Sequence, residues 1–295
     1  MKPLAKLIVS IDVEDWPQST WDNSLEITQR AATNTERVLD ILKKHNRTIT
    51  MFILGKFAKR FPTVVKRIAI EGHEVASHGY GHIEVFKQTQ DEFRQDVRQS
   101  KQILEDITSK PVIGYRAPDF SITSGSLWAL EILTELGFIY DSSIFPSRYT
   151  RYGIADWPPD PVQVHLASGL SIIEFPLTTI SLLGRHFPVA GGGYHRLLPW
   201  SVICWLITKR LNQNRPFMTY CHPYEFDPEE FAEIDLDLPL KTRLHQGLGR
   251  RGFHGKFERM LTKFESAKAA DLTQSHEWPG TTVSNKQTDL HHKEK

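Results

Sequence analysis

Leu7-Ile8-Val9-Ser10-Ile11-Asp12-Val13-Glu14-Asp15 runs from an apolar stretch straight into three acids within four positions. The part at 7–11 has the length and branched composition of a buried strand, and it is too short for a signal-peptide core. The acids that follow then lie just past the end of a first strand. The pattern repeats downstream. Val38, Leu39, Ile41 and Leu42 recur at helical spacing within 35–45, 48–54 is strand-like, and 57–70 carries Phe61, Val64, Val65 and Ile68 on one helical face. Next come a strand at 74–77, a helix at 91–107, a strand at 111–115, and a helix at 127–136 with Ser124 as N-cap and Gly137 as terminator. Strands at 138–140 and 217–221 follow, with shorter ones at 162–165 and 171–175. Alternation of this kind builds a parallel sheet closed, or nearly closed, into a barrel.

Composition bounds the rest. A chain of 295 residues, 40% hydrophobic, suffices for one large α/β domain or two small ones, and a net charge of +1 gives no reason to expect nucleic acid as a partner. Cys204 and Cys221 make no disulfide framework, which leaves the redox setting open with a lean to the reducing cytosol, and a cytoplasmic location is expected. The apolar stretch 197–207 falls short of the ~20 residues of a membrane span and reads as a buried helix. The expected organisation is a single domain at 1–270, with a motif-bearing core at 7–228 and a helical extension at 236–270 whose helix lies near 256–264. A disordered polar tail is expected at 271–295, and its His291-His292 is no persuasive metal site.

In a barrel of parallel strands the functional residues sit at the carboxyl ends. That rule gathers Asp12, Glu14 and Asp15 from the first strand, His78 and His82 from the third, then Arg116, Asp141 and His222. His78-Gly79-Tyr80-Gly81-His82 is the stretch most suggestive of metal, because two imidazoles four residues apart can share an ion. A catalytic zinc commonly takes three protein ligands, and the nearby acids offer the third. Cys221 beside His222 invites a nucleophile reading, but adjacent strand residues face opposite sides, so Cys221 is expected inside. His73 and His195 are expected to be structural.

Four stretches together resemble the polysaccharide deacetylase family, the NodB-homology domain: Ser10-Ile11-Asp12-Val13-Glu14-Asp15-Trp16, Ser77-His78-Gly79-Tyr80-Gly81-His82, Tyr115-Arg116-Ala117-Pro118-Asp119-Phe120-Ser121 and Tyr220-Cys221-His222-Pro223-Tyr224-Glu225. The first and last are similar to those of a branch linked to bacterial exopolysaccharide export. The resemblance implies a distorted (β/α) barrel of about seven parallel strands, and metal-assisted removal of N-acetyl groups from a glycan. It implies a divalent ion, zinc first, with cobalt, nickel or manganese as alternatives. His78 and His82 would be ligands, Asp12 the general base, Arg116 its charged partner, and His222 the general acid.

The family's adjacent pair of aspartates is absent here, since Val13 follows Asp12. The third ligand is therefore Glu14, which shares a strand face with Asp12, or Asp15 if the chain turns at Val13. Asp141 is ranked ahead of Glu225 and Asp156 for orienting His222. Trp16, Phe120, Tyr194 and Tyr224 offer aromatic faces to sugar rings, and Gly191-Gly192-Gly193-Tyr194-His195-Arg196-Leu197 resembles a loop this branch uses near its glycan. The chemistry requires these groups, because an amide needs both an activated water and a proton for its departing nitrogen. Zinc would lower the pKa of a bound water to about 7. Two other readings keep the barrel: hydrolysis of cyclic ureides or imides, and a catalytically impaired protein that binds glycan or an assembly partner.

Overall fold

The first strand continues beyond its apolar run. In the computed structural model, which describes residues 6–147, 153–182, 185–274 and 277–283, β1 (Leu7–Val13) is buried along its whole length. Its odd-numbered residues Leu7, Val9, Ile11 and Val13 join the large apolar layer against the helices, whereas Ile8 joins a second cluster with Phe52, Tyr140, Phe175 and Met218. The two-residue period thus divides the core into an outer layer and a barrel interior. Ser10 and Asp12 follow Ile8 on the inner side, so polar groups enter the barrel along its first strand.

The expected units are present with shifted ends. α1 (Gln29–Lys44) precedes β2 (Thr50–Ile53); α2 (Gly55–Arg60) and α3 (Pro62–Ile70) precede β3 (Glu74–Ser77). Pro62 divides what looks like one helix at 57–70, because its ring cannot continue a helix from the preceding turn. α4 (Gln90–Thr108) leads to the short β4 (Gly114–Tyr115), then α5 (Trp128–Glu135) to β5 (Tyr140–Asp141). A reciprocal Thr89/Glu92 capping box starts α4. Ser124 does not cap α5, which is entered through Leu127, while Gly137 does end it with a φ of +79°.

β6 (Val162–His165) and β7 (Ser171–Glu174) form a hairpin, and β8 (Thr179–Leu182) with β9 (Arg185–Pro188) forms a second small one. The region at 197–207 is not one buried helix: α6 (Gly192–Leu197) ends before Pro199 and α7 (Trp200–Asn212) follows, with Leu197 and Trp205 each 56% exposed. β10 (Phe217–Cys221) completes the inner sheet. α8 (Glu230–Glu233), α9 (Leu240–Gly247) and α10 (Arg250–Lys263) follow it, so the extension holds more than the single helix expected.

The seven strands in the order β10-β1-β2-β3-β4-β5-β7 pair parallel throughout. Closure is partial: Thr178, just past β7, bonds Met218 of β10, and Gly191 bridges Tyr220. This is a distorted (β/α) barrel. β11 (Ser266–Ala267) pairs with β1, α11 (Ala269–Thr273) follows, and β12 (Gly280–Thr282) pairs with β6. α11 and β12 fall at the beginning of the expected tail, while 284–295, with His291 and His292, lie outside the described residues. No described helix is long and apolar enough to cross a membrane.

Candidate active site

Arg116, at the end of β4, lies fully buried in the barrel, its guanidinium 4.0 Å from the centre of the Phe52 ring. It donates to Asp12 Oδ1 at 2.6 Å, Ser10 Oγ at 2.9 Å and Ser142 Oγ at 2.9 Å. A buried cation needs this density of acceptors, and it fixes Asp12 at the edge of the cleft. Glu14, two residues on, reaches the two histidines. Its Oε2 is 2.8 Å from His82 Nε2 and 3.5 Å from His78 Nε2, and donor atoms of all three residues lie within 4.8 Å of one another.

The histidines sit on a loop, and other parts of the fold aim them. His78 Nδ1 lies 2.8 Å from the carbonyl of Arg116, which leaves Nε2 for the cleft. Asp96 of α4 accepts from the backbone N–H groups of Tyr80 and Gly81 at 2.8 and 3.3 Å, pinning the loop between the imidazoles. Gly79 has φ +74° and a side chain there would meet Asp96 Oδ2 at 2.9 Å, so both conformation and space require glycine.

Charge in the cluster is unusual for so buried a place. Burial would raise the Glu14 carboxyl, but His82, His222 and His78 outweigh it and hold Glu14 well below the usual carboxylate range. Burial likewise lowers His82, yet Glu14 pushes it up to about 9. A buried anion balanced by a protonated imidazole, with a second imidazole turned inward, is a donor set that fits a divalent cation.

Asp15 goes elsewhere. Its Oδ2 accepts from the Thr28 N–H at 2.5 Å at the start of α1, and burial raises its pKa to about 6. The chain does turn after Val13, and that turn carries Asp15 away from the histidines. His222 follows β10 with Nε2 3.5 Å from Glu14 Oε1, and Tyr224 stacks on its ring at 4.6 Å while donating to Glu14 Oε1 at 3.4 Å. The carboxylate near His222 is Glu225, whose Oε2 accepts from the His222 N–H at 3.1 Å and lies 3.7 Å from Nδ1. Burial opposes ionisation of Glu225, but His222 and Arg196 hold it below the usual range. Asp141 instead accepts from the Ser143 N–H and faces the Glu174 carboxyl. Both carboxyls are raised, by burial first, and Asp141 is engaged with Glu174 rather than with His222. Asp156 is exposed.

The cleft above these groups has a volume of about 120 Å³. Phe120 and Tyr224 line it with Asp12, Glu14, His78, His82 and His222. Trp16 does not, being 1% exposed and packed edge-on against Phe231 at 4.7 Å; Tyr194 is 39% exposed and also outside the lining. Cys221 is buried, as alternation along β10 requires. Thr20, Asp119 and Tyr220 line the cleft without having been singled out. Two-residue alternation from His222 would have found Tyr220; no comparable signal marks Thr20. His82, Asp119 and Phe120 have φ of +60°, +52° and +51°. The other described non-glycine residues of this kind, Asn46, Ser109 and Asn214, follow helix ends, so the left-handed backbone not explained by capping gathers at the cleft.

A parallel barrel whose strand ends bring a carboxylate and two imidazoles together, beside an arginine-bound aspartate and a further histidine, defines a class of barrels with a candidate metal site. Residues 16–138 match the polysaccharide deacetylase family, and residues 142–274 match a domain of unknown function (DUF3473). Over residues 16–138, under half of its length, the chain is similar to the polysaccharide deacetylase family. It is 39% identical over 154 residues to a peptidoglycan-N-acetylglucosamine deacetylase of Bacillus cereus, covering 52% of this chain and 48% of that protein. It is 32% identical over 118 residues to a peptidoglycan deacetylase of Helicobacter pylori, covering 39% of each. The chain spans about half the length, or less, of these curated relatives. A crystal structure from Mycobacterium smegmatis, described as a polysaccharide deacetylase, superposes with a TM-score of 0.62 at 19% identity, covering 95% of this chain and 94% of that one. Puue allantoinase gives 0.57 at 14% identity, covering 98% and 91%. Both share the fold.

Proposed function

We propose that this protein is a metal-dependent hydrolase that removes N-acetyl groups from amino sugars of a polysaccharide. The observation that carries the reading is the meeting of Glu14, His78 and His82 in one cleft with Asp12 and His222. A divalent ion, zinc first, would be held by Glu14, His78 and His82, and when bound it would polarise the acetyl group and activate water. Asp12, held by Arg116, takes the proton of the attacking water. His222 gives a proton to the sugar nitrogen as the C–N bond breaks and its electron pair returns to nitrogen. Acetate and a free amine result.

The tight cleft suits an acetamido group better than a whole sugar ring, so the rest of the glycan lies outside it. The Asp12-Val13-Glu14-Asp15-Trp16 motif resembles that of the exopolysaccharide branch, and from this we place the reaction in exopolysaccharide assembly. Unpaired Cys204 and Cys221 are compatible with a cytoplasmic step. The test is acetate release from N-acetylglucosamine oligomers, measured with and without added zinc beside hydrolysis of cyclic amides. Metal-stimulated acetate release supports the reading. Cyclic-amide hydrolysis without acetate release would replace it with an amidohydrolase, and a protein holding no divalent ion would leave a binding module.

A further inference from the structure

We propose that α6 is a bracket that aims His222: Gly192 and Arg196 fix Glu225, and Glu225 orients the imidazole that protonates the leaving nitrogen. The inference rests on the reading of His222 as general acid given above.

Three observations converge on Glu225, which is 2% exposed. First, His222 Nδ1 is buried and, among the described residues, has no partner at hydrogen-bonding distance; the carboxylate oxygen 3.7 Å away is Glu225 Oε2. The same ring turns Nε2 into the cleft. An acid that delivers a proton from Nε2 needs an acceptor on Nδ1 to hold the ring and stabilise the cation before transfer, and such bonds are often long before substrate is bound. Second, a β-carbon at Gly192 would stand 1.7 Å from Glu225 Oε2 and 2.4 Å from its Cδ. The backbone of α6 therefore lies flush against the carboxylate, and any other residue at 192 must push Glu225 away. Third, Arg196, one helical turn later, pairs through Nε with the other oxygen, Oε1, at 3.2 Å.

The bracket is itself anchored. Arg196 Nη1 donates to the Gln246 carbonyl. Its own carbonyl accepts from Lys256 Nζ at 2.7 Å, and Gly249 packs on that carbonyl so closely that a β-carbon would stand 2.7 Å from it. The glycine-rich run at 191–193 thus serves the acid, and neither Gly192 nor Arg196 lines the cleft. Glu225 accepts the Nδ1–H bond and keeps its charge; the proton transferred to nitrogen comes from Nε2.

Positioning of an acid matters only where the leaving group needs a proton. Glu225→Gln, Gly192→Ala and Arg196→Met should be compared on an N-acetylglucosamine oligomer and on an aryl acetate, whose phenolate departs unaided. For the amide, kcat should fall about 100-fold in Glu225→Gln and about tenfold in Gly192→Ala and Arg196→Met, with KM and zinc content unchanged. Turnover of the aryl acetate should stay within about twofold of the parent, and Arg196→Lys should recover part of the loss. Nitrogen-15 spectra of the His222 ring should show Nδ1 protonated in the parent and a mixture of tautomers in Gly192→Ala. Equal losses on both substrates, loss of zinc, or an unchanged ring spectrum would overturn the bracket. If the parent releases no acetate from any glycan, the functional reading fails, while the ring spectrum still decides the bracket.

Discussion

Both ends of the barrel set a glutamate close to a histidine, and they shift the two groups in opposite directions. At the amino-terminal end, Glu74 accepts from Tyr140 Oη at 2.7 Å, Thr50 Oγ1 at 2.7 Å and the Ala270 N–H at 3.0 Å. Burial nevertheless raises its pKa, because every donor around it is neutral. His73 beside it is lowered to about 4 by burial, and its Nδ1 accepts from the Ile49 N–H at 3.2 Å. At the carboxyl end Glu14 meets three imidazoles, is held well below the usual range, and lifts His82 to about 9. Neutral partners make a seal; chargeable partners make a site from which protons can be displaced by a cation. Barrel folds divide their labour along this axis, with stability at one face and chemistry at the other.

The largest effect expected is at the rim. His78→Ala and His82→Ala should each weaken divalent-metal binding by more than about 100-fold, beyond what loss of an outer partner costs, and abolish acetate release; metal analysis and calorimetry check this. Asp12→Asn should keep the metal and lose about 10²- to 10⁴-fold in kcat, and metal loss in that variant would make Asp12 a ligand. Asp15→Asn should keep both metal and turnover and cost about 1 kcal/mol of stability through the start of α1. Loss of metal there would move the third ligand from Glu14.

At the other end, Glu74→Gln should leave metal and kcat untouched while lowering the unfolding free energy by about 1–3 kcal/mol in urea titrations. A metal effect from this variant would erase the contrast between the two ends. The smallest and most discriminating effect is in pH. Unfolded His73 takes up a proton near its ordinary pKa of about 6.5, whereas the folded residue resists until about 4. Stability should therefore fall as pH drops through that window, by at most about 1.4 kcal/mol per pH unit from this residue. His82 has the opposite sign. Its contribution in metal-free protein is complete below about 6.5 and is lost as pH rises through about 9. His73→Gln should flatten the acid limb of the urea midpoint profile, and saturating zinc the alkaline limb.

Much of this was legible from residue order. Alternating strand and helix signals reach the parallel barrel, and carboxyl-end placement alone reaches Asp12, His78, His82, Arg116 and His222. The misplaced ends have physical reasons. β1 extends to Val13 because Asp12 is an inward strand residue paid for by Arg116, an interaction 104 positions away that no local pattern reports. Asp141 does end a strand, but Glu174 occupies it, and pairing between two strand ends is tertiary information. Glu225 carried a local signal, three residues after His222, that the strand-end rule set aside. The left-handed conformations at Asp119 and Phe120 have no sequence signature, since neither residue type favours them enough to announce it.

β12 gives a practical consequence for truncation. Thr281 pairs with Val164 along β6, and Trp278, 9% exposed, packs edge-on against Phe175 at 5.4 Å. The polar composition of this stretch invites a cut near 270, but a chain ended there would leave β6 as an uncovered edge and open a hole beside Phe175. Bare strand edges recruit other strands, so such a protein should aggregate where one ended after Val283 stays dispersed.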